Sequence, residues 1–419
     1  MKIGYLMDAG VPDVREAKPS GPAIHVLRTI QELKRLGHEV RLVARLSNRV
    51  LVSNDLLEYS PVRTPLMDGI RLAESVIRRT QRELGLPYVA WFDGMRFAEA
   101  CTRELSGFDI FYERMGWMGR GGSIAARRAQ VPHVLEINGD HLREHEQQGM
   151  NATGMQMRLS LDIMRTVAQR ATHAVATGEG WRRRHLQNWQ VEPSKVSVIH
   201  NGSDVVELLS RDQLRSYQMQ DGSPKEPFRL IYVGSFDPWQ NLPSMLRGMR
   251  AALDAGLNVQ LTIAGSGAAL ASLQQLASEL ALTDTVTFAG HLPMAELSRQ
   301  LAGADAGISL YDGRVEFDGL KLFDYKSAGL AVIATGKNGE PASIRAGITG
   351  TIIPPADANA FVAALRELHD NRGLAAKMGR QSRADAEQMH GWKHTAQSLE
   401  RLFLTLVGRS GHAPSVAVA

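Results

Sequence analysis

Apolar runs too short for buried helices recur through the chain, each followed by a helical stretch. KIGYLM opens the series, the loop PSGPAIH follows, and AIHVLRTIQELKRLGHEV then reads as helix, glycine stop and second strand. That is one βαβ unit. DIFYER, PHVLEIN, HAVAT and VSVIHNG continue as strands, separated by helical stretches such as GSIAARRAQ and a long run from about Arg143 to Arg170. A chain ordered in this way folds as a doubly wound α/β domain with a largely parallel sheet.

A second series begins at FRLIYVG and continues through NVQLTIAGSG, TVTFAG, DAGISL, LAVIAT and GTIIPP, with helices expected at about 241–255, 269–280, 294–303, 319–329 and 357–369. Between the series the sequence turns polar and carries Gly and Pro, as a linker would. The expected division is a first Rossmann-like domain over 1–205, a linker over 206–227, a second Rossmann-like domain over 228–390, an amphipathic helix over 391–408 and a flexible tail over 409–419.

The length of 419 residues suits two such domains, and 44% hydrophobic with 22% charged residues is ordinary for a chain that buries a sizeable core. A net charge of only +4 gives little reason to expect a nucleic-acid grip. The single cysteine, Cys101, makes no intrachain disulfide, and MKIGYLMDAG lacks a signal-peptide layout, so a cytoplasmic protein is expected. No apolar run reaches the roughly 18 to 20 residues that span a bilayer, which leaves at most peripheral membrane contact.

Open α/β sheets bind ligands at the carboxyl ends of their strands, so function is sought in the strand-to-helix loops. Gly21, Gly234, Gly265 and Gly267 lie in such loops, although a lone glycine more often serves a tight turn. Neither PSGPA nor AGSGAAL completes the dinucleotide fingerprint, and no P-loop occurs. The stretch EFDGLKLFDYKSAGL is more specific, with Glu316 and Asp324 eight positions apart across a helix start at Gly319. Free N–H groups at that start, with Lys321 in the first turn, suit a diphosphate. Asp324 in the second turn suits a pair of ribose hydroxyls, and Glu316 those of a sugar beyond the diphosphate. A solvated face capped by Asp318 explains the same residues equally well.

Glu316 and Asp324 with seven residues between them resemble the E-x7-E motif of the retaining glycosyltransferases of family 4, which adopt the two-domain GT-B fold. SGPAIHV with GHEV, DIFYERMGW, VPHVLEING, VSVIHNGSD, IAGSG, TFAGHL and LKLFDYKSAGLAVIAT resemble that family in the same order, over roughly residues 2 to 408. The resemblance implies two Rossmann-like domains facing a central cleft, the first on the acceptor side and the second holding a nucleoside diphosphate sugar. It implies that Glu316 meets the sugar hydroxyls and Asp324 the ribose, with Lys321, Gly319 and Leu320 at the diphosphate. Gly21 then approaches the diphosphate and acceptor, Gly234 and Gly265 line the donor loops, and Gly290, His291 and Leu292 lie where the base is held. The final helix, around Trp392, resembles the segment that crosses back to the first domain.

The chain departs from the family in three places. Its second acid is Asp, one methylene shorter than Glu. Phe236 and Gln240 stand where members often carry an Arg and a Lys for the diphosphate. Asn138 stands where many place an active-site His, with Asp140 and His141 nearby as substitutes. Glu113 and Arg114, at the end of a strand, are acceptor-side candidates, whereas Arg182 to Arg184 read as a solvated helix face.

The activity so implied is transfer of a sugar, with retention, from a nucleoside diphosphate sugar to an acceptor hydroxyl on a small molecule, a lipid-linked compound or a glycan. The resemblance also implies no cofactor and no metal requirement; DGRVEFDG holds no tight D-x-D, and Lys321 with the helix dipole supplies positive charge. The alternatives are a nucleotide-sugar-binding protein that has lost catalysis, and a nucleotide-sugar 2-epimerase of the same architecture.

Overall fold

The computed structural model describes residues 1–8, 20–46, 49–137, 139, 154–214, 226–311, 318–337, 339 and 341–409. The chain forms two compact units, the first comprising Met1–Ile199 with the chain from Ala396 onward, the second His200–Thr395.

In the first unit the strands are β1 (Lys2–Met7), β2 (Glu39–Leu46), β3 (Arg49–Ser53), β4 (Ser60–Pro61), β5 (Ile110–Arg114), β6 (His133–Ile137), β7 (His173–Ala176) and β8 (Val196–Val198). They form one sheet in the order β4-β3-β2-β1-β5-β6-β7-β8. β2, β1 and β5 to β8 are parallel, while β3 and β4 add an antiparallel edge. Helices α1 (Gly21–Arg35), α2 (Pro65–Gly69), α3 (Arg71–Glu83), α4 (Trp91–Glu104), α5 (Gly121–Ala129), α6 (Gly154–Arg170) and α7 (Glu179–Trp189) belong to the same unit. The β3–β4 edge, α3 and α4 occupy a stretch in which the apolar alternation is lost, and the sequence reading did not resolve them.

The second unit carries α8 (Val205–Leu208), β9 (Phe228–Val233), α9 (Leu242–Asp254), β10 (Val259–Ala264), α10 (Leu270–Glu279), β11 (Val286–Gly290), α11 (Met294–Ala302), β12 (Ala306–Ser309), α12 (Leu320–Ser327), β13 (Ala331–Thr335), β14 (Gly350–Ile353), α13 (Ala358–Asp370) and α14 (Arg372–Met389). Its sheet is wholly parallel, in the order β11-β10-β9-β12-β13-β14. Both units are Rossmann-like, and the expected α/β class holds. The five helices expected in this half agree with α9 to α13 to within two residues at each end.

The units divide at Ile199/His200, earlier than the expected boundary at 205. The physical reason is burial: Val205, Leu209 and Leu214 pack with Leu297, Leu322 and Tyr325. Arg383 clamps that turn, donating from Nη2 to the carbonyls of Val206 at 3.0 Å and Leu209 at 2.7 Å. The first part of the expected linker is therefore core, and 215–225 lie outside the described residues.

The last helix, α15 (Trp392–Arg409), begins in the second unit. From Ala396 on its apolar stripe of Leu399, Phe403, Leu406 and Val407 joins Ile3, Tyr5 and Ile30 in the first unit's core. The Phe403 ring lies 5.4 Å from that of Tyr112.

Candidate functional site

In the second unit the chain runs from β9 outward to β11 on one side, then returns to place β12 on the other side of β9. Such a reversal opens a crevice at the strands' carboxyl ends. Here β9 and β12 pair only at Leu230↔Ala306 and Ile231↔Gly307. Beyond that the Tyr325 hydroxyl bridges the gap, accepting from the Val233 N–H at 2.9 Å and donating to the Ile308 carbonyl at 3.0 Å. Its ring covers Gly307, where any Cβ would strike it. Glycine in β12 and tyrosine in α12 together draw that helix onto the crevice.

α12 is almost wholly enclosed, with Lys321, Leu322, Phe323, Tyr325, Lys326 and Ser327 buried. Only Gly319, Leu320 and Asp324 keep partial exposure, and Leu320 and Asp324 share one face. The N-cap is Gly319, with no side-chain cap. Asp318, the alternative cap, is 1% exposed at φ +52° and instead accepts the Ser343 N–H at 2.7 Å. The helix start thus keeps backbone donors for an anion.

Lys321 is buried beneath this start. Its ammonium donates to Gln240 Oε1 and lies 4.8 Å and 5.1 Å from the ring centroids of Tyr232 and Tyr311. Gln240 therefore holds the cation in place, while Phe236 is a core residue at 3% exposure. Gln240 stood out in the sequence only as a missing lysine.

Asp324 accepts a hydrogen bond from Ser203 Oγ at 2.6 Å. Burial pushes its carboxyl from 3.8 up to about 7, against the lowering effect of Ser203. Ser203 was not singled out from the sequence; its signal was a hydroxyl in HNGSD.

The glycine loops meet one another. Gly234 N–H donates to Ala264 O at 3.0 Å, and Gly265 N–H to Gly290 O at 2.7 Å. A Cβ at Gly265 would overlap the Gly234 carbonyl oxygen. Gly234 and Gly265, at φ +149° and +151°, thus permit close loop packing. Gly290, at φ +69°, faces open space, His291 is exposed and Leu292 is half-buried. Glu316 lies outside the described residues.

In the first unit, Gly21 is the first residue of α1. Glu113 is 1% exposed, its carboxylate 2.7 Å from His133 Nε2. It is committed to an internal pair rather than presented to an acceptor. Arg114 lies 3.9 Å from the buried Glu136, which also meets His25 at 2.5 Å. Burial pushes the Glu136 carboxyl up, but His25 and Arg114 outweigh it and hold it below its usual range. Asn138, Asp140 and His141 lie outside the described residues.

Asp8 was not singled out by the sequence reading. It follows β1 directly at the sheet's carboxyl end, accepts the Gly121 N–H at 2.7 Å and pairs with Arg45 at 3.1 Å. Burial pushes its carboxyl up to about 7. The available signal was an acid at the end of the first parallel strand.

Comparison with known proteins matches residues 215–385 to the family described as Glycosyl transferases group 1, and residues 20–202 to the Glycosyl transferase 4-like domain. A D-inositol 3-phosphate glycosyltransferase of Mycolicibacterium vanbaalenii is 26% identical over 90% of this chain and 84% of its own length. One from Streptomyces scabiei is 25% identical over 52% of this chain, which there spans about half of the relative's length, 50%. Among solved structures, sucrose-phosphate synthase from Thermosynechococcus elongatus superposes with a TM-score of 0.72 at 18% identity, covering 98% of this chain and 100% of the other. Anabaena HepE in complex with UDP gives 0.69 at 16% identity, covering 97% and 100%.

Proposed function

The chain belongs to the group 1 glycosyltransferases of GT-B architecture, and from that premise we propose that it transfers a sugar from a nucleoside diphosphate sugar to an acceptor hydroxyl, with retention at the anomeric carbon. The observation that carries the reading is the open strip of Gly319, Leu320 and Asp324 on an otherwise buried helix, with the Lys321 ammonium under its uncapped start.

In this reading the diphosphate sits at the start of α12. Negative charge builds on it as the glycosidic bond breaks, and preorganised donors act most strongly on such charge. The Lys321 ammonium and the first N–H groups of α12 supply it, which makes the reaction independent of a metal. Asp324 takes the ribose hydroxyls, Glu316 the hydroxyls of the transferred sugar, and Gly290, His291 and Leu292 border the base. Gly234 and Gly265 shape the loops by packing on each other. The family resemblance assigns Gly21 to the diphosphate and acceptor, and Asn138, Asp140 and His141 to the place of the active-site His.

A carboxylate at the anomeric carbon, which double displacement needs, is not among these assignments. A same-face substitution fits better, with a donor phosphate oxygen taking the acceptor proton. HepE is recorded with UDP-glucose, which makes UDP-glucose the first donor to try, and the relatives' names make D-inositol 3-phosphate the first acceptor. We place the reaction in the cytoplasm; among the described residues no helix is long and apolar enough to cross a membrane.

The test is incubation of the protein with a panel of nucleoside diphosphate sugars and hydroxylated acceptors, followed by NMR of the products. An α-linked product from an α-linked donor supports the reading. Conversion of donor alone into an epimer identifies a 2-epimerase, and nucleotide binding without donor hydrolysis or transfer identifies a binding protein.

A further inference from the structure

Helix α3 is attached by its polar side and turns its apolar side to water. Its one buried residue is Glu74. That carboxylate takes Arg96 Nη2 at 2.6 Å and Arg78 Nε at 2.8 Å, and Arg78 continues to Asp93 Oδ1 at 2.9 Å on α4. Helical spacing places Leu72 and Val76 opposite Glu74, while Ile77 and the following Leu84 fall on the flank between, about 60 to 80° from Glu74 around the axis. They are 81%, 58%, 45% and 66% exposed, and Leu66 and Leu86 beside them 76% and 53%.

This face is held rigidly. The N–H groups of Leu66 and Met67, at the start of α2, donate to the two Glu99 carboxylate oxygens at 2.9 and 3.0 Å, and Met67 is buried. A contiguous apolar patch fixed toward water marks an interaction surface in a folded protein.

Charge identifies the occupant. Residues 63–86 carry Arg63, Arg71, Arg78, Arg79 and Arg82 against Asp68, Glu74 and Glu83. Arg71 pairs with Asp68 at 2.9 Å and Arg79 with Glu83 at 2.8 Å, yet the two arginine side chains stay 70% and 79% exposed, and the segment keeps a net excess of two positive charges. In a symmetric pairing of two copies the patch would meet itself and bring two net-positive segments together. Lipid phosphates complement them. A helix of 13 residues is about 20 Å long, too short to cross a bilayer but suited to lie in its surface with aliphatic side chains in the acyl boundary.

We infer that α3, with Leu66 and Leu86 beside it, is an in-plane docking face for an anionic lipid surface. This stands apart from the glycosyl-transfer reading and survives its failure.

The test is flotation of the full chain with vesicles of phosphatidylglycerol and phosphatidylcholine in equal parts, against phosphatidylcholine alone. Wild type floats with the anionic vesicles, and added salt weakens the association. Leu72→Ser, Val76→Ser and Ile77→Ser together lower partitioning by about tenfold or more, since aliphatic burial and charge both contribute. Arg79→Glu with Arg82→Glu removes the preference for anionic vesicles. Leu404→Ser, at another exposed position, changes nothing. Thermal unfolding confirms that each variant is folded, and Leu72→Ser alone serves if the triple variant is not. Wild type failing to float, or the serine variants floating like wild type, overturns the inference. So does a wild-type dimer in lipid-free light scattering that the serine variants convert to monomer, since a second copy would then own the face.

Discussion

Ser203 Oγ donates to Asp324 Oδ1 at 2.6 Å and accepts the Val205 N–H at 3.1 Å, so one hydroxyl both takes the first N–H of α8 and holds the acid of α12. The Asp324 carboxyl, at about 7, is then poised between its two forms. Only the ionised form is a pure acceptor for ribose hydroxyls, so nucleotide affinity should rise as pH increases through about 7. Ser203→Ala removes a bond that lowers this pKa, so the rise should move to higher pH. Losing the bond to the Val205 N–H should also cost about 1 kcal/mol of stability. Calorimetric titration with UDP from pH 6 to 8, with Asp324→Asn as the pH-flat control, checks it. An affinity profile that Ser203→Ala leaves in place would separate the two residues.

Asp8 makes a different pH prediction, about folding. Its carboxyl is raised from 3.8 to about 7, so between those values the folded chain binds more protons than the unfolded one. Stability from this group is therefore present at low pH and lost as pH rises through that window. His390, which burial pushes down to about 2, works in the opposite direction, so the informative quantity is a difference. The stability of wild type minus that of Asp8→Asn should fall from pH 4 to pH 7 in urea unfolding. A difference independent of pH would show that Asp8 is already ionised in the folded protein.

Lys321→Ala should lower turnover by about tenfold to a thousandfold, because in the proposed reaction the ammonium stabilises charge that develops on the leaving diphosphate. Gln240→Ala should cost less, since it orients the ammonium and leaves it present. Steady-state kinetics with the active donor reads both. A larger loss from Gln240→Ala than from Lys321→Ala would mean that the glutamine, not the lysine, meets the diphosphate.

The sequence carried the fold because parallel strands buried on both faces leave apolar runs, and β13, AVIAT, is such a run with every residue buried. It carried α12 because the acids and Lys321 are local to one segment. It did not carry Ser203, or the role of Gln240, whose partners are 121 and 81 positions away; a hydroxyl and an amide have no periodicity to betray them. Glu113 misled for the reverse reason. An acid ending a strand looks available until His133, brought across by β6, is placed against it. The linker was misjudged because its polar composition hides three residues, Val205, Leu209 and Leu214, that anchor it in the core.

Two loop glycines of the second unit should respond to different degrees. Gly265→Ala sets a Cβ on the Gly234 carbonyl, so a fixed loop must move; a loss of about 2 to 4 kcal/mol is expected, within the range of severe backbone and overpacking effects. Gly290→Ala has open space and a left-handed φ, so it should cost only about 1 kcal/mol. Denaturant midpoints compare them. Equal losses would mean that the loops of β9 and β10 are not packed as described.

The shorter acid and the serine should act as one unit. In Asp324→Glu the carboxylate gains a methylene in a site where Ser203 already lies at hydrogen-bond distance and is itself 2% exposed. The longer side chain must either push the serine aside or project further into the nucleotide space, and overpacking of this kind typically costs about 1 to 3 kcal/mol. Binding of the nucleoside diphosphate should therefore weaken in Asp324→Glu alone. Ser203→Ala alone should also weaken it at neutral pH, by leaving Asp324 more protonated. The double variant has room where the hydroxyl stood and an acid able to reach the ribose directly, so its affinity should exceed that of Asp324→Glu. Residues in contact commonly show coupling of about 0.5 to 3 kcal/mol, whereas independent sites add within about 0.5 kcal/mol. Calorimetric titration of the four proteins with the preferred nucleotide gives the coupling directly. Additive losses would show that Ser203 and Asp324, although bonded, do not position one another for the ribose.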